Sequence, residues 1–144
     1  MLYILIIFLI FVDLVSKYIA KINLDWQINL IWDFLYLKYI ENPWIAFGLW
    51  LTWIPLKIIT IILIAVIIWY YIVEEKNKKN TLIDLSFAFI ISWALGNAYE
   101  RIFNSQVIDF IWIKYFAIFN LADAFLTIWV FLYIIHLIKL KVKS

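Results

Sequence analysis

The fold this chain predicts is an all-α membrane protein with four transmembrane helices, on three observations. First, 68% of its 144 residues are hydrophobic and its mean hydropathy is +1.01. A soluble domain is about half apolar, so the excess has to face lipid. Second, the stretches 2–20, 54–73, 82–102 and 119–138 each approach the ~17–25 apolar residues that a spanning helix needs. Third, lysines cluster between the second and third stretches and in the C-terminal tail, as the loops of a multi-span protein do. Phe, Trp and Tyr make up 21% of the chain, which suits a small bundle with aromatic residues at both interfaces. No segment reads as a linker or repeat, so residues 1–144 form one integral membrane domain. The absence of cysteine excludes disulfides, thiolate metal sites and a cysteine nucleophile.

The first span is apolar enough for a signal peptide, but it lacks a basic leading region and a small-x-small cleavage site. It also carries Asp13 and Lys17, so it is expected to be retained. Those two residues are four apart, acid before base, and can pair on one helical face. Lys17 lies near the outer end of the span, where snorkelling would satisfy its charge. The outer segment 21–53 follows. In it Leu35, Leu37 and Tyr39 alternate with Tyr36, Lys38 and Ile40, a weak period of two that suggests a short strand or hairpin. Trp26, Trp32, Trp44, Trp50 and Trp53 are spread through it, and indoles favour the headgroup layer.

The second span begins near Lys57, a further snorkelling candidate, and ends at Glu74-Glu75-Lys76-Asn77-Lys78-Lys79-Asn80, a short solvated turn. By the positive-inside rule that turn and the tail with Lys139, Lys141 and Lys143 are cytoplasmic, which places both termini inside. The third span opens with Thr81-Leu82-Ile83-Asp84, a capping-box pattern that the helix dipole also favours. It closes with Gly96-Asn97-Ala98-Tyr99-Glu100-Arg101, where Asn97 and Arg101 share a face and Gly96 permits close helix approach. A short outer segment, 103–118, contains Asp109. The fourth span starts with Asn120 and Asp123, three apart on one face, where Asn120 is placed to cap and Asp123 to sit in the first turn. His136, the one histidine, lies beside the basic tail and reads as interfacial.

Ionisable groups at membrane depth are costly and point to function. Asp109, Asp123, Asn97, Arg101 and Asn120 converge on one membrane level. Two carboxylates meeting in a low-dielectric site cannot both ionise, so one keeps its proton. The charged member can deprotonate water while the protonated member polarises a carbonyl, with asparagine and arginine steadying the developing charge. No cofactor or metal is needed. No His-Glu-x-x-His motif is present, and His136 is at the wrong end for a serine triad.

These residues resemble those of the bacterial lipoprotein signal peptidases (signal peptidase II), intramembrane aspartyl proteases. Asp13-Leu14-Val15-Ser16-Lys17 resembles the family's Asp-x-x-Thr-Lys block, and Asn42-Pro43-Trp44-Ile45-Ala46-Phe47 its Asn-x-Gly-x-Ala-Phe. Gly96-Asn97-Ala98-Tyr99-Glu100-Arg101 resembles Gly-Asn-x-x-Asp-Arg, with Glu100 in place of aspartate, and the surroundings of Asp109 and Asp123 resemble the two catalytic blocks. The resemblance implies a catalytic pair of Asp109 and Asp123, a substrate site lined by Asn42, Asn97, Arg101 and Asn120, and support from Asp13, Lys17 and Glu100. It implies four spans in the bacterial cytoplasmic (inner) membrane and a small extracytoplasmic β-cradle, with the segment between the aspartates as a short covering loop or helix. The implied activity is removal of signal peptides from diacylglyceryl-modified prolipoproteins. The implied partners are those substrates, globomycin-like cyclic peptide inhibitors and membrane lipids. A monomer with no nucleic-acid partner is expected. A small proton-coupled transporter, or an inactive scaffold retaining the site, are the competing readings.

Overall fold

The computed structural model describes residues 2–43 and 53–143. The chain runs α1 (Leu2–Asn23), β1 (Ile28–Ile31), β2 (Leu35–Asn42), α2 (Trp53–Tyr70), α3 (Thr81–Asn104), β3 (Val107–Ile113), β4 (Ala117–Phe119) and α4 (Leu121–Lys143). Among the described residues four helices are long and apolar enough to cross a membrane. Each expected span lies within a few residues of one of them. Expected residues Trp44 and Trp50, and the Trp44-Ile45-Ala46-Phe47 part of the block that begins at Asn42, lie outside the described residues.

α3 is the central helix, packed against α1, α2 and α4. Of its most apolar stretch 61% is buried, against 17–22% for the others. That explains why it has the lowest hydropathy of the four. Facing protein rather than lipid, it can carry Ser86, Ser92, Asn97 and Glu100 in buried positions, whereas lipid-facing helices cannot leave polar groups unsatisfied. One apolar cluster, Ile6, Tyr71, Ile83, Phe87, Ala88, Ile90 and Ile91, fills one end of the bundle. A second, Ala20, Leu24 and Phe110, lies beneath the sheet at the other end.

The four strands form one antiparallel sheet in the order β1-β2-β3-β4. It sits where α1 and α3 end and α4 begins. The period of two at 35–40 is therefore real, and β2 is longer than the alternation alone suggested. The segment between Asp109 and Asp123, expected to be a covering loop, is instead most of β3, a tight turn and β4. Its alternating Ile111, Trp112 and Ile113 pair with both β2 and β4, which satisfies backbone groups that a loop would leave to water. Tyr36 stacks on Trp112 at 5.4 Å across the strands, and the Lys114 amide donates to the Phe34 carbonyl at 2.8 Å, tying the two hairpin tips together.

Three further expectations are corrected. Lys17 does not snorkel: it is 1% exposed, because buried acceptors meet its ammonium within the bundle. Asn80, not Thr81, caps α3, its side chain accepting from the Leu82 amide at 3.0 Å. Asp84 instead accepts from the Tyr71 hydroxyl at 2.8 Å. The turn before α3 is not wholly solvated either. A π-helical turn, Tyr71–Glu75, carries Glu75 inward to 3% exposure, where Lys78 pairs with it at 2.8 Å.

Candidate active site

The site begins with one face of α3. Trp93, Asn97 and Arg101 recur every four residues, flanked by Gly96 and Glu100, so all five look the same way. Gly96 brings α1 close: a Cβ there would stand 2.7 Å from Asp13 Oδ2 and 3.7 Å from the Ala122 Cβ. The two walls of the site are α1 and the start of α4.

Beneath it lies a buried charge cluster. The Lys17 ammonium pairs with Asp13 Oδ2 at 2.8 Å and Glu100 Oε2 at 2.8 Å and donates to Asn97 Oδ1 at 2.9 Å. Asp13 and Glu100 are 0% and 3% exposed, and each has a backbone donor as well. The Ala122 amide donates to Asp13 Oδ1 at 2.9 Å, and the Ile108 amide to Glu100 Oε2 at 3.3 Å. Asp13 therefore serves the positive end of α4, while Glu100 ties α3 to β3. The Glu100 side chain is long enough to reach both partners.

At the start of α4, Asn120 and Asp123 cap reciprocally. The Asp123 amide donates to Asn120 Oδ1 at 3.1 Å, and the Asn120 amide to Asp123 Oδ2 at 3.3 Å, as in a capping box. This fixes which way the Asn120 amide points. Its Nδ2 donates to Asp109 Oδ1 at 2.8 Å and to Asn97 Oδ1 at 3.1 Å. The Lys17 ammonium orients Asn97 in the same manner, so Asn97 Nδ2 donates to Asp123 Oδ1 at 3.1 Å. Asn120 and Asn97 are thus the bridge between the two aspartates.

Asp109 comes from the sheet. In the β2–β3 register Ile40 faces Asp109 and Asn42 faces Val107, so Asn42 stands diagonally across from Asp109. Its Nδ2 donates to Asp109 Oδ2 at 2.6 Å. Burial pushes the Asp109 carboxyl up to about 6, and the Asp123 charge adds to that; the bonds from Asn42 and Asn120 offset part of it. Among the described residues Arg101 has no carboxylate within 4.0 Å, although it feels the charges of Asp123, Asp109 and Glu100.

The structure therefore brings together Asn42, Asn97, Asp109, Asn120 and Asp123 by direct bonds, places Arg101 beside them, and sets Asp13, Lys17 and Glu100 underneath. One residue at the site escaped the sequence reading. Trp93 donates its indole Nε1 to Asp123 Oδ1 at 2.9 Å. The signal was present in the spacing, four residues before Asn97, but a tryptophan in an apolar span reads as packing. Chemically, two carboxylates joined through amides with a guanidinium nearby can activate water and polarise a carbonyl.

Residues 5–139 match the family model described as signal peptidase (SPase) II. Curated relatives include the lipoprotein signal peptidase of Clostridium novyi (strain NT), 32% identical over 143 residues, covering 94% of this chain and 95% of that protein. That of Clostridium tetani (strain Massachusetts / E88) is 34% identical over 144 residues, covering 94% and 91%. Among solved structures, a bacterial membrane enzyme determined by the in meso method at 2.3 Å superposes with a TM-score of 0.81 at 30% identity, covering 96% of this chain and 87% of that one.

Proposed function

The chain belongs to the signal peptidase II family, and on that premise we propose that Asp109 and Asp123 are its catalytic pair. As a member of this aspartic peptidase family it is an integral membrane endopeptidase that removes signal peptides from prolipoproteins. The observation that carries the residue assignment is the Asp109–Asn120–Asn97–Asp123 chain of hydrogen bonds, which links two carboxylates from a strand and a helix.

The pair shares one proton. The ionised member takes a proton from water, whose oxygen attacks the scissile carbonyl carbon. The protonated member gives its proton to the carbonyl oxygen, leaving a neutral gem-diol. Collapse of the diol breaks the C–N bond, the leaving amine takes up one proton, and the pair again holds one. Arg101 and the Asn42 amide hold the substrate backbone beside the reacting carbonyl, and Asp13, Lys17 and Glu100 keep α1, α3, α4 and β3 in register. The substrate class is a prolipoprotein whose cysteine already carries diacylglycerol, entering from lipid, and globomycin-like cyclic peptides compete for the same site. The enzyme acts as a monomer at the outer surface of the bacterial cytoplasmic membrane, with both termini inside. A proton-relay transporter fits less well, because Asp123 starts its helix and Asp109 lies on a strand, neither at mid-span.

Asp109→Asn and Asp123→Asn should each lower cleavage of a diacylglyceryl-modified prolipoprotein in detergent by at least about a thousandfold. Cleavage at the unmodified rate by either variant would remove that residue from the pair.

A further inference from the structure

We propose that Trp93 is a positioning residue that decides the polarity of the pair: its indole N–H holds Asp123 as the proton-free member, leaving Asp109 to carry the shared proton. This rests on the assignment of Asp109 and Asp123 as the catalytic carboxylates.

Among the described residues Asp123 receives three N–H groups, from Trp93 Nε1 and Asn97 Nδ2 on Oδ1 and from the Asn120 amide on Oδ2. None of these can reverse. An indole nitrogen and a backbone amide only donate, and the Lys17 ammonium on Asn97 Oδ1 keeps that side chain's Nδ2 turned toward Asp123. A proton on Oδ1 would point at two hydrogens. An ionised carboxylate accepts all three bonds and still has a lone pair on Oδ2 for the attacking water. Among the described residues Asp109 receives one donor on each oxygen, from Asn42 and Asn120, and it is 4% exposed. Burial, which raises its proton affinity, works in the same direction. Asp123 therefore takes the proton from water, and Asp109 gives its own to the carbonyl oxygen.

Trp93 is held in place for this. It is half-buried and packs against the apolar cluster around Phe87 and Ile90, so its ring has little freedom to turn away. Among the described residues the charged groups that act on or with Asp123 include Asp13 from α1, Arg101 from α3 and Asp109 from β3, with Lys17 and Glu100 paired to the same cluster. They are unchanged by a substitution at position 93, so a shift in pH dependence reports the lost N–H.

The test compares Trp93→Phe and Trp93→3-benzothienylalanine, the latter keeping the ring size while removing only the N–H. Cleavage of a diacylglyceryl-modified prolipoprotein is followed from pH 4 to pH 9, with thermal unfolding in the same detergent as the control for folding. Loss of one hydrogen bond to the ionised form should move the acidic limb of kcat/KM up by about one pH unit. At neutral pH kcat should fall roughly three- to tenfold with KM nearly unchanged. An unmoved limb in the benzothienylalanine protein would overturn the proposal, even if Trp93→Phe alone shifted it, because packing would then be the cause. Asp123→Asn, run beside them, separates the two levels. Retained cleavage there sinks the pair itself, whereas a dead Asp123→Asn with an unmoved limb sinks only the role of Trp93.

Discussion

Asp109 illustrates how a catalytic group is set against stability. Its carboxyl is pushed from an ordinary 3.8 up to about 6, chiefly by burial. The folded protein therefore holds a proton there over a range in which the unfolded chain has already lost it. With more protons bound in the folded state, the contribution of this residue to stability falls as pH rises from about 4 to 6, and stays low above that. The cost is on the order of 3 kcal/mol at neutral pH. Asp109→Asn, which cannot ionise, should thus gain stability over the parent above pH 6 and show little gain near pH 4. Melting temperatures of the two proteins in one detergent across that range would check it; an equal difference at every pH would contradict the assignment of the shift to Asp109. Gly96 and Lys17 make the complementary point. A methyl group has no room at Gly96 beside Asp13, and Lys17 is buried because two carboxylates and an amide oxygen surround its ammonium. Helical spacing exposed the Asp13–Lys17 pair in the sequence, but the other two partners of Lys17, Glu100 and Asn97, lie some eighty residues away and no local pattern announces them.

At the scale of the element, the N-terminus of α4 does two jobs at once. Asn120 caps the helix and its remaining amide hydrogens reach Asp109 and Asn97. These roles are separable. Asn120→Ala should lose the cap, about 1 kcal/mol, together with the bridge, so both stability and cleavage drop. Asn120→Ser keeps an oxygen for the Asp123 amide but has no Nδ2 for Asp109. It should melt close to the parent and still cleave at least about tenfold more slowly. Unfolding and turnover measured on the same samples would show whether the two effects part; parallel losses in Asn120→Ser would mean that the residue acts through the helix alone. The capping role was legible from Asn-x-x-Asp spacing. The bridging role was not, because it depends on β3 delivering Asp109 to the same spot. Similarly, the hydrophobic alternation in 35–40 announced a strand, whereas 107–119 was short and apolar enough to pass for a covering loop until β2 and β4 paired with it.

For the molecule as a whole, the bundle separates an aspartate-bearing end under a four-stranded sheet from a lysine-bearing end with the 74–80 turn and the α4 tail. If the lysines face the cytoplasm, a cysteine at the hairpin tip, Tyr115→Cys, should react with a membrane-impermeant maleimide in intact spheroplasts. Lys78→Cys should react only after permeabilisation. The chain's lack of cysteine makes each label unambiguous, and the reverse pattern would invert the topology. Chain composition alone determined that this is a four-span membrane protein, because lipid tolerates only long apolar helices and each span carries that requirement within its own residues. Short blocks of polar residues determined which family it resembles. What only the tertiary structure decided is how those blocks act together: a lysine buried rather than snorkelling, a loop that is half of a sheet, and a tryptophan bonded to Asp123. Each of these depends on partners distant in sequence, and hydrogen bonds and ion pairs are satisfied in space, not along the chain.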